Sequence, residues 1–159
     1  MRVLFLVLAA LGAGSAVVAA LRRLDAVQVD GLSMAPTLLP GDRLLAESWT
    51  YARRAPRAGE VVIATDPRAA GREVIKRVCV LGDGGVDLRG DLPTSSTDSR
   101  HFGRVPASSI RWRVGVRYWP PARAGRVPRP RAPLELERQG GEPACTAFGD
   151  LVVGVEGGG

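Results

Sequence analysis

Residues 74–80 read Val-Ile-Lys-Arg-Val-Cys-Val, and this run of β-branched and apolar residues predicts a buried strand. Lys76 is the only lysine of the chain, since the other 21 of its 22 basic Lys and Arg residues are arginines. Neighbours in a strand alternate between its faces, so Lys76 can point inward while Ile75 and Arg77 point the other way. A buried lysine can lose its proton, whereas an arginine stays charged. Lys76 is therefore a candidate general base, and the alternative is a lysine left by chance on a solvated face.

Four further short runs rich in Val, Ile, Leu and aromatic residues also predict strands. Turn-forming Gly and Pro clusters at 40–42, 57–59 and 81–85 separate them. No amphipathic pattern longer than two helical turns follows the first 24 residues. The predicted fold class is therefore mainly β, a small barrel or folded sheet. The four runs are 26–29, 43–46, 60–64 and 112–118.

The N-terminal segment 3–21 carries no charged residue and lies between Arg2 and the Arg22-Arg23 pair. A helix of this length spans roughly the hydrocarbon core of a bilayer, so residues 1–24 are predicted to be a transmembrane anchor. A cleaved signal peptide is the rival interpretation, but no Ala-x-Ala cleavage site follows the apolar run. The flanking charges leave the membrane orientation open.

The C-terminal part divides by composition after a predicted domain at 25–119. Residues 120–133 are rich in proline and arginine and predict a basic linker. Residues 134–159 form a tail to which the sequence assigns no role, although the apolar run 151–155 is compatible with one more strand.

The net charge of +6 and the pI near 10.5 favour an anionic partner, either nucleic acid or lipid headgroups. Aromatic residues make up only 5% of the chain, and no nucleic-acid-binding motif is present, so nucleic acid is not expected as a partner. One histidine and no Cys-x-x-Cys pair argue against a metal site, and no cofactor is expected. Cys79 is predicted to be buried, and whether it pairs with Cys145 stays open.

Residues 30–38 read Asp-Gly-Leu-Ser-Met-Ala-Pro-Thr-Leu and, taken alone, are typical of a turn. A serine here becomes chemically interesting only with a base. The single histidine, His101, lies in a loop-like stretch with no sign of a His-Asp pair, so a histidine triad is not expected. A lysine kept neutral by burial can take that role.

Three elements now occur in a specific order: Ser-Met-Ala-Pro-Thr-Leu at 33–38, Ile-Lys-Arg-Val at 75–78, and Gly-Asp at 90–91 followed by Ser-Thr-Asp-Ser-Arg at 96–100. Together with the predicted anchor, they resemble the type I signal peptidases of peptidase family S26. These are membrane-anchored serine proteases with a Ser-Lys dyad. The resemblance covers residues 1–119 and implies a small signal-peptidase-like β-fold.

The resemblance also implies roles for single residues. Ser33 matches the nucleophile, and its backbone N–H would donate to the oxyanion. Lys76 matches the general base, and Ser96 matches the serine that orients this lysine. The remaining matched residues are Met34, which walls the substrate cleft, and the structural residues near the site, Arg77 and the ion pair Asp98 and Arg100.

The chain departs from the family pattern at several positions. Gly31 stands where some members carry a serine that completes the oxyanion hole, so the second donor is not identified. Gly-Asp-Leu at 90–92 replaces Gly-Asp-Asn, and Leu-Gly-Asp at 81–83 replaces Pro-Gly-Asp. Only 13 residues separate Lys76 from Gly90, which predicts a minimal catalytic core.

By resemblance, the chain is expected to be a membrane-bound serine endopeptidase that cleaves signal or leader peptides from precursor proteins. Its expected partners are those precursors and membrane lipids, with small residues before the cut. Its expected location is the cell membrane, as a single-pass protein with an extracytoplasmic domain. The five Trp and Tyr residues could lie in the membrane interface or in the core. They are Trp49, Tyr51, Trp112, Tyr118 and Trp119.

Two alternatives remain at this point. One is a dedicated maturation protease for a single partner, such as the leader of a metalloenzyme. The other is a non-enzymatic, membrane-tethered basic β-domain, which predicts that Ser33 and Lys76 lie far apart. Self-cleaving repressors with a Ser-Lys pair fit less well, because the chain has a predicted anchor and no DNA-binding module.

Overall fold

The structure is a computed structural model in which nearly all of the predicted catalytic domain is described. Within the described residues no helix is long and apolar enough to cross a membrane. The anchor predicted at 3–21 lies outside them except for Val18 and Leu21, and it stays a prediction. Cys145 and the run 151–155 also lie outside. The described residues are Val18, 21–69, 71–82, 84–129, 137–139 and 142–144, the last two as backbone only.

The described chain is dominated by one antiparallel sheet of seven strands, which confirms the mainly β prediction. Its strand order is β1-β2-β6-β3-β4-β5, and β7 pairs with β6. A separate hairpin of β8 and β9 lies in the tail. The strands are β1 Leu24–Gln28, β2 Arg43–Glu47, β3 Val61–Thr65, β4 Glu73–Gly82, β5 Gly85–Arg89, β6 Ile110–Trp119, β7 Gly125–Arg126, β8 Glu137–Gln139 and β9 Glu142–Ala144.

Helical structure is limited in the described residues to short pieces. Apart from the helical residues Val18 and Leu21, one α-helix, α1, spans Ser99–Phe102, and single 3₁₀ turns occur at Pro93–Ser95, Ala107–Ser109 and Pro121–Arg123. The Asp98 side chain caps α1 by accepting a hydrogen bond from the Arg100 N–H, 3.2 Å away. Side-chain acceptors at this position satisfy N–H groups that the helix itself leaves unpaired.

Strand β3 is buried on both faces and separates two apolar clusters. Val61 and Ile63 pack with Met34 and Leu38 on one side, while Val62 and Ala64 pack with the second cluster on the other. A strand buried on both faces is a continuous apolar run rather than an alternating one, which is why residues 60–64 could be predicted from composition. Strand β4 pairs with β3, with Lys76 opposite Val62 and Arg77 opposite Val61.

All five predicted strands occur, and β5, β7, β8 and β9 were not predicted; β5 is the longest of these four. Its first residue, Gly85, belongs to a glycine cluster that indicates a turn. Gly85 has a φ of 103°, and a Cβ there would lie 2.7 Å from the Val105 carbonyl oxygen. That close approach lets Val86 and Val105 exchange two backbone hydrogen bonds, of 2.8 and 2.9 Å. Glycine therefore starts this strand because another segment crosses it closely.

Residues 120–129, which belong to the predicted linker 120–133, contact the rest of the described chain. Val127 packs against the first apolar cluster, and residues 125–126 pair with β6. Arg123 binds Asp42 at 3.0 Å. The ion pair of Arg123 with Asp42, 81 residues earlier, and the packing of Val127 in the core are tertiary contacts, which composition does not reveal.

The aromatic residues divide between core and surface. Trp112 and Tyr51 pack against the two apolar clusters, whereas Tyr118 and Trp119 are 44% and 50% exposed. Trp49 is half-buried.

Candidate active site

The loop that carries Ser33 is fixed by the core beneath it. Met34 and Leu38 are buried, at 1% and 0% exposure, and the Leu38 N–H donates to the Met34 carbonyl at 2.8 Å. At its far end, the Gly41 N–H donates to the Val29 carbonyl, also at 2.8 Å. Ser33 itself is half-buried. Apolar anchors on one side of the loop therefore leave its serine facing the accessible side.

Lys76 is buried in the middle of β4, with 4% of its surface exposed. Loss of solvation lowers the pKa of its amine. The Asp98 carboxylate opposes this effect, while the positive charges of Arg100, Arg68 and Arg72 add to it. The environment therefore favours the neutral amine that a general base needs.

Ser33 and Lys76 line the same cleft, which has a volume of about 450 Å³. Met34, Ile63 and Ile75 contribute its apolar wall. Within the described part of the chain, no hydrogen bond joins the Ser33 hydroxyl to the Lys76 amine. The structure thus brings the predicted nucleophile and base to one cleft. For a direct proton transfer, the Ser33 hydroxyl and the Lys76 amine would have to move into hydrogen-bond distance.

Ser96 lies beside this cleft and is held by Asp98. Its hydroxyl donates to Asp98 Oδ2 at 2.7 Å, and both residues are buried, with 6% and 0% exposure. Having donated its proton there, the Ser96 oxygen keeps lone pairs that can accept from an amine. The contact that the structure records for Ser96 is to the carboxylate, and none to Lys76 is recorded among the described residues.

Asp98 is the central acceptor of this part of the site. It receives two hydrogen bonds from the Arg100 guanidinium, of 2.8 and 2.6 Å, and one from the Gly90 N–H at 3.0 Å, besides those of the Arg100 N–H and the Ser96 hydroxyl. Burial alone would raise the pKa of the Asp98 carboxyl, but these donors outweigh it and lower the pKa well below its usual range. Asp98 is therefore ionised, and Asp98 and Arg100 form the ion pair that the sequence suggested.

Arg77 lies on the other face of β4 from Lys76, as alternation predicts, but that face is buried as well. The Arg77 side chain is 2% exposed and binds Asp91 through two hydrogen bonds of 2.7 and 2.6 Å. Its remaining N–H groups donate to the Gly59 carbonyl at 2.9 Å, the Pro128 carbonyl at 3.3 Å and the Thr37 hydroxyl at 3.4 Å. Arg77 thereby joins four segments around the strand of Lys76.

Gly90 has a structural role that the sequence motif did not reveal. A Cβ at this position would collide with the Ser96 hydroxyl and with the Ser33 carbonyl oxygen. That carbonyl also accepts a hydrogen bond of 3.0 Å from the Leu92 N–H. Segment 90–92 therefore lies tightly between the loop of Ser33 and the side chain of Ser96, and only glycine permits this approach. The Gly-Asp doublet was the available signal.

Gly31 faces open space, since no atom lies within 4 Å of a Cβ built there. The Ser33 N–H remains the candidate donor to an oxyanion, and the second donor is still unassigned. Among the described residues, no group of three or more His, Cys, Asp and Glu could hold a metal ion.

Comparison with known proteins adds a family relationship. A family model described as signal peptidase, peptidase S26, matches residues 1–91, which include Ser33, Lys76 and Gly90 but end before Ser96. The mitochondrial ATP-independent inner membrane protease subunit 1a of Arabidopsis thaliana is 36% identical over 121 residues, which cover 62% of this chain and 72% of that protein.

Two further relatives are similar over comparable lengths. The mitochondrial inner membrane protease subunit 1 of Mus musculus is 32% identical, with 59% of this chain and 69% of that protein covered. The mitochondrial inner membrane protease subunit 2 of Danio rerio is 31% identical, with coverages of 67% and 73%.

Proposed function

The chain belongs to the S26 family of signal peptidases, and on that premise we propose that it is a membrane-anchored serine endopeptidase that removes signal or leader peptides from precursor proteins. Ser33 is the proposed nucleophile and Lys76 the proposed general base. The observation that carries this proposal is that Ser33 and the buried Lys76 line one cleft. A basic binding domain without activity would have no reason to place them together.

In the proposed mechanism, the neutral Lys76 amine takes the proton of the Ser33 hydroxyl as its oxygen attacks the scissile carbonyl carbon. The tetrahedral intermediate carries its negative charge on the former carbonyl oxygen, where the Ser33 N–H can donate. The peptide C–N bond then breaks, and the Lys76 ammonium returns the proton to the leaving amine. Water hydrolyses the acyl-enzyme with Lys76 again as base, which restores the Ser33 hydroxyl.

The neighbours of the proposed pair support these roles. The ionised Asp98 holds Ser96 by a hydrogen bond of 2.7 Å, so the Ser96 oxygen is fixed as an acceptor beside the cleft. An acceptor of this kind would orient the Lys76 amine toward Ser33. Met34 has only 1% of its surface exposed, which supports its proposed role as a rigid wall of the cleft next to the nucleophile.

The proposed substrates are precursors whose small residues before the cut fit beside Gly31 and Ile75 in the cleft. The relatives are named as proteases of a mitochondrial inner membrane, and we extend membrane attachment to this chain through the predicted anchor at 3–21. An enzyme in the plane of the bilayer meets membrane-bound precursors in two dimensions, which favours their encounter.

The decisive experiment compares cleavage of a precursor by the full-length protein and by Ser33→Ala, Lys76→Ala and Lys76→Arg variants in detergent or vesicles. Each variant is expected to lose at least about a thousandfold in rate, because nucleophile and base act as one unit. Ser109→Ala is the matched control, since Ser109 lies outside the cleft and its hydroxyl bonds only locally, to the Pro106 carbonyl.

The most informative single variant is Lys76→Arg, which keeps the positive charge but cannot offer a neutral amine. Retained cleavage by this variant would overturn the proposed mechanism. A survey of several precursors distinguishes general processing from the alternative of one dedicated partner, because a dedicated protease leaves all but one of them uncut.

A further inference from the structure

Cys79, which follows Lys76 by three residues on β4, is disulfide-bonded. It is buried, with 5% of its surface exposed, and no cysteine among the described residues is free. The chain contains only one other cysteine, Cys145, which lies outside the described residues. Within one chain, Cys145 is therefore the only residue that can supply the second sulfur.

Strand β4 has a β-bulge at Cys79. Its register with β5 passes from Val78 opposite Leu88 directly to Val80 opposite Asp87, so Cys79 is the extra residue of β4. A bulge re-aims a side chain and interrupts the regular alternation of a strand. This position therefore suits a crosslink to a segment that does not belong to the sheet.

The segment that leads to Cys145 passes next to this part of β4. The Pro128 carbonyl accepts a hydrogen bond of 3.3 Å from Arg77, which precedes Cys79 by two residues. Two residues correspond to about 7 Å along a strand. Cys145 follows Arg129 by 16 residues, and an extended chain of this length spans about 50 Å. The tail therefore starts close to Cys79 and is long enough to bring Cys145 back to it.

The hairpin of β8 and β9 gives an independent reason for such a bond. In the described part of the chain, its two strands pair with each other and with none of the seven strands of the main sheet. An isolated two-stranded hairpin is only marginally stable in water, so it needs a further attachment. Since β9 ends at Ala144, a bond at Cys145 would hold this hairpin directly at its end.

We propose that Cys79 and Cys145 form a disulfide that fastens the C-terminal tail to the strand of Lys76, and that this bond forms on the oxidising side of the membrane. Disulfides persist where thiols are oxidised and are rare where glutathione and thioredoxin keep thiols reduced. The bond therefore places the described domain outside the reducing compartment, an orientation that the charges around the predicted anchor leave open. The inference is independent of the proposed function, because it does not require proteolysis.

Formation of the bond needs a two-electron oxidant, and the proposed class is a disulfide compound such as glutathione disulfide. One cysteine thiolate attacks a sulfur of this compound and releases the first glutathione thiolate. The second cysteine thiolate then attacks the protein sulfur of the mixed disulfide, which forms the Cys79–Cys145 bond and releases the second glutathione. The protein loses two electrons, and its two thiol protons pass to the two released thiolates.

The first test is a peptide map of the full-length protein, whose thiols are blocked with N-ethylmaleimide when the cells that produce it are harvested. Trypsin cuts after Arg77, Arg89 and Arg138, so the two cysteines fall in the peptides 78–89 and 139–159. From the band that migrates as a monomer in a non-reducing gel, we expect one linked species. Its mass equals the sum of both peptides minus two hydrogens, and reduction separates it.

Three results of this map would overturn the inference. The first is that both peptides carry N-ethylmaleimide, which shows that the thiols were free in the cell. The second is that peptide 78–89 is linked to a second copy of itself. The third is that the linked peptides occur only in a band of higher mass than the monomer, which shows a bond between two chains.

The second test compares the midpoint of thermal unfolding of the wild type with those of Cys79→Ala, Cys145→Ser and the double variant. A disulfide that closes a loop of about 65 residues is expected to raise the midpoint by about 10 °C. Each single variant should lose this amount, and the double variant should lose no more than Cys79→Ala, because either substitution removes the whole bond. Thr146→Ala is the matched control in the same segment and should melt like the wild type.

Reduction of the wild type provides a check that needs no substitution. After treatment with dithiothreitol, the wild type should melt at the midpoint of Cys145→Ser, whereas Cys145→Ser itself should not respond to the reductant. If the losses of the two single variants add in the double variant, or if the wild type does not respond to dithiothreitol, the proposed bond does not exist.

Cleavage of a precursor separates this inference from the proposed function. Well below its midpoint, Cys145→Ser is expected to cut at the rate of the wild type, and on heating it should lose activity about 10 °C earlier. A wild type that cuts precursors with both thiols free overturns the disulfide and leaves the proposed function standing. A protein that carries the linked peptides but cuts no precursor overturns the proposed function and confirms the disulfide.

Discussion

The guanidinium of Arg77 and the carboxylate of Asp91 form a doubly hydrogen-bonded ion pair in which each side chain is 2% exposed. Removing one partner leaves the other charge buried without its counterion. We expect Asp91→Ala to lower the free energy of unfolding by about 3–5 kcal/mol, measured by urea denaturation. Replacing both partners, as in Arg77→Met with Asp91→Leu, should cost clearly less.

Asp25→Ala serves as the control for this prediction. Asp25 is exposed on β1, and its substitution is expected to change stability by no more than about 0.5 kcal/mol. Equal stability of Asp91→Ala and the wild type would show that the pair is not a structural requirement.

Gly90 is predicted to be intolerant of even one methyl group. In Gly90→Ala the new Cβ must push away either the Ser33 backbone or the Ser96 side chain. We expect the free energy of unfolding to fall by about 1–3 kcal/mol. We also expect kcat to fall, because both displaced groups belong to the proposed site. The control is Gly115→Ala in β6, where no atom lies within 4 Å of the added Cβ. A Gly90→Ala protein as active and as stable as the wild type would contradict the close contact of Gly90 with Ser33 and Ser96.

The lowered pKa of Lys76 predicts two pH dependences. The rate should rise with pH as Lys76 loses its proton, and the midpoint of this rise should lie below 10.5, the ordinary value for lysine. The free energy of unfolding is also expected to rise with pH. Between the folded pKa and 10.5 the unfolded chain binds the extra proton, so the wild type gains stability as pH rises through this window.

The matched variant for the stability effect is Lys76→Met, which fills the space without a titrating amine. It should be more stable than the wild type at neutral pH, and the difference should narrow as pH approaches 10.5. Chemical denaturation at several pH values measures this. A difference that does not vary with pH would mean that the pKa of Lys76 is the same folded and unfolded.

Gly31 offers a gain-of-function prediction. Its Cβ position is open, so a serine fits, and its hydroxyl could act as the second donor to the oxyanion. We expect Gly31→Ser to raise kcat by about tenfold over Gly31→Ala, which adds the same backbone restriction without a hydroxyl. Single-turnover cleavage of a peptide compares the two, and equal rates would place the second donor elsewhere.

The sequence predicted five strands from short runs rich in Val, Ile, Leu and aromatic residues, because burial on one or both faces of a strand demands such residues. It did not predict β5. Glycine is typical of a turn, but Gly85 starts a strand here because the backbone of Val105 lies too close for a larger residue. The contacts of residues 120–129 could not be predicted for a similar reason. Arg123 binds Asp42, which lies 81 residues earlier, and Val127 packs against the first apolar cluster.

The proposed site was more accessible to sequence reasoning than the contacts that support it. The position of Lys76 in an apolar strand already implied desolvation. The burial of Arg77 was not implied, because alternation places it on the other face without saying that this face is also covered. The contact of Gly90 with Ser33 and Ser96 joins three loops, and no local pattern encodes it.

The acceptors of Arg77 have a consequence for the order in which the molecule matures during synthesis. They come from Thr37, Gly59, Asp91 and Pro128, so the last of them is made 51 residues after the arginine itself. A growing chain that already contains Ser33, Lys76 and Ser96 still lacks one acceptor for a buried cation. We therefore expect proteolytic activity to appear late, once residue 128 has emerged, which would protect the nascent chain and its neighbours from premature cleavage.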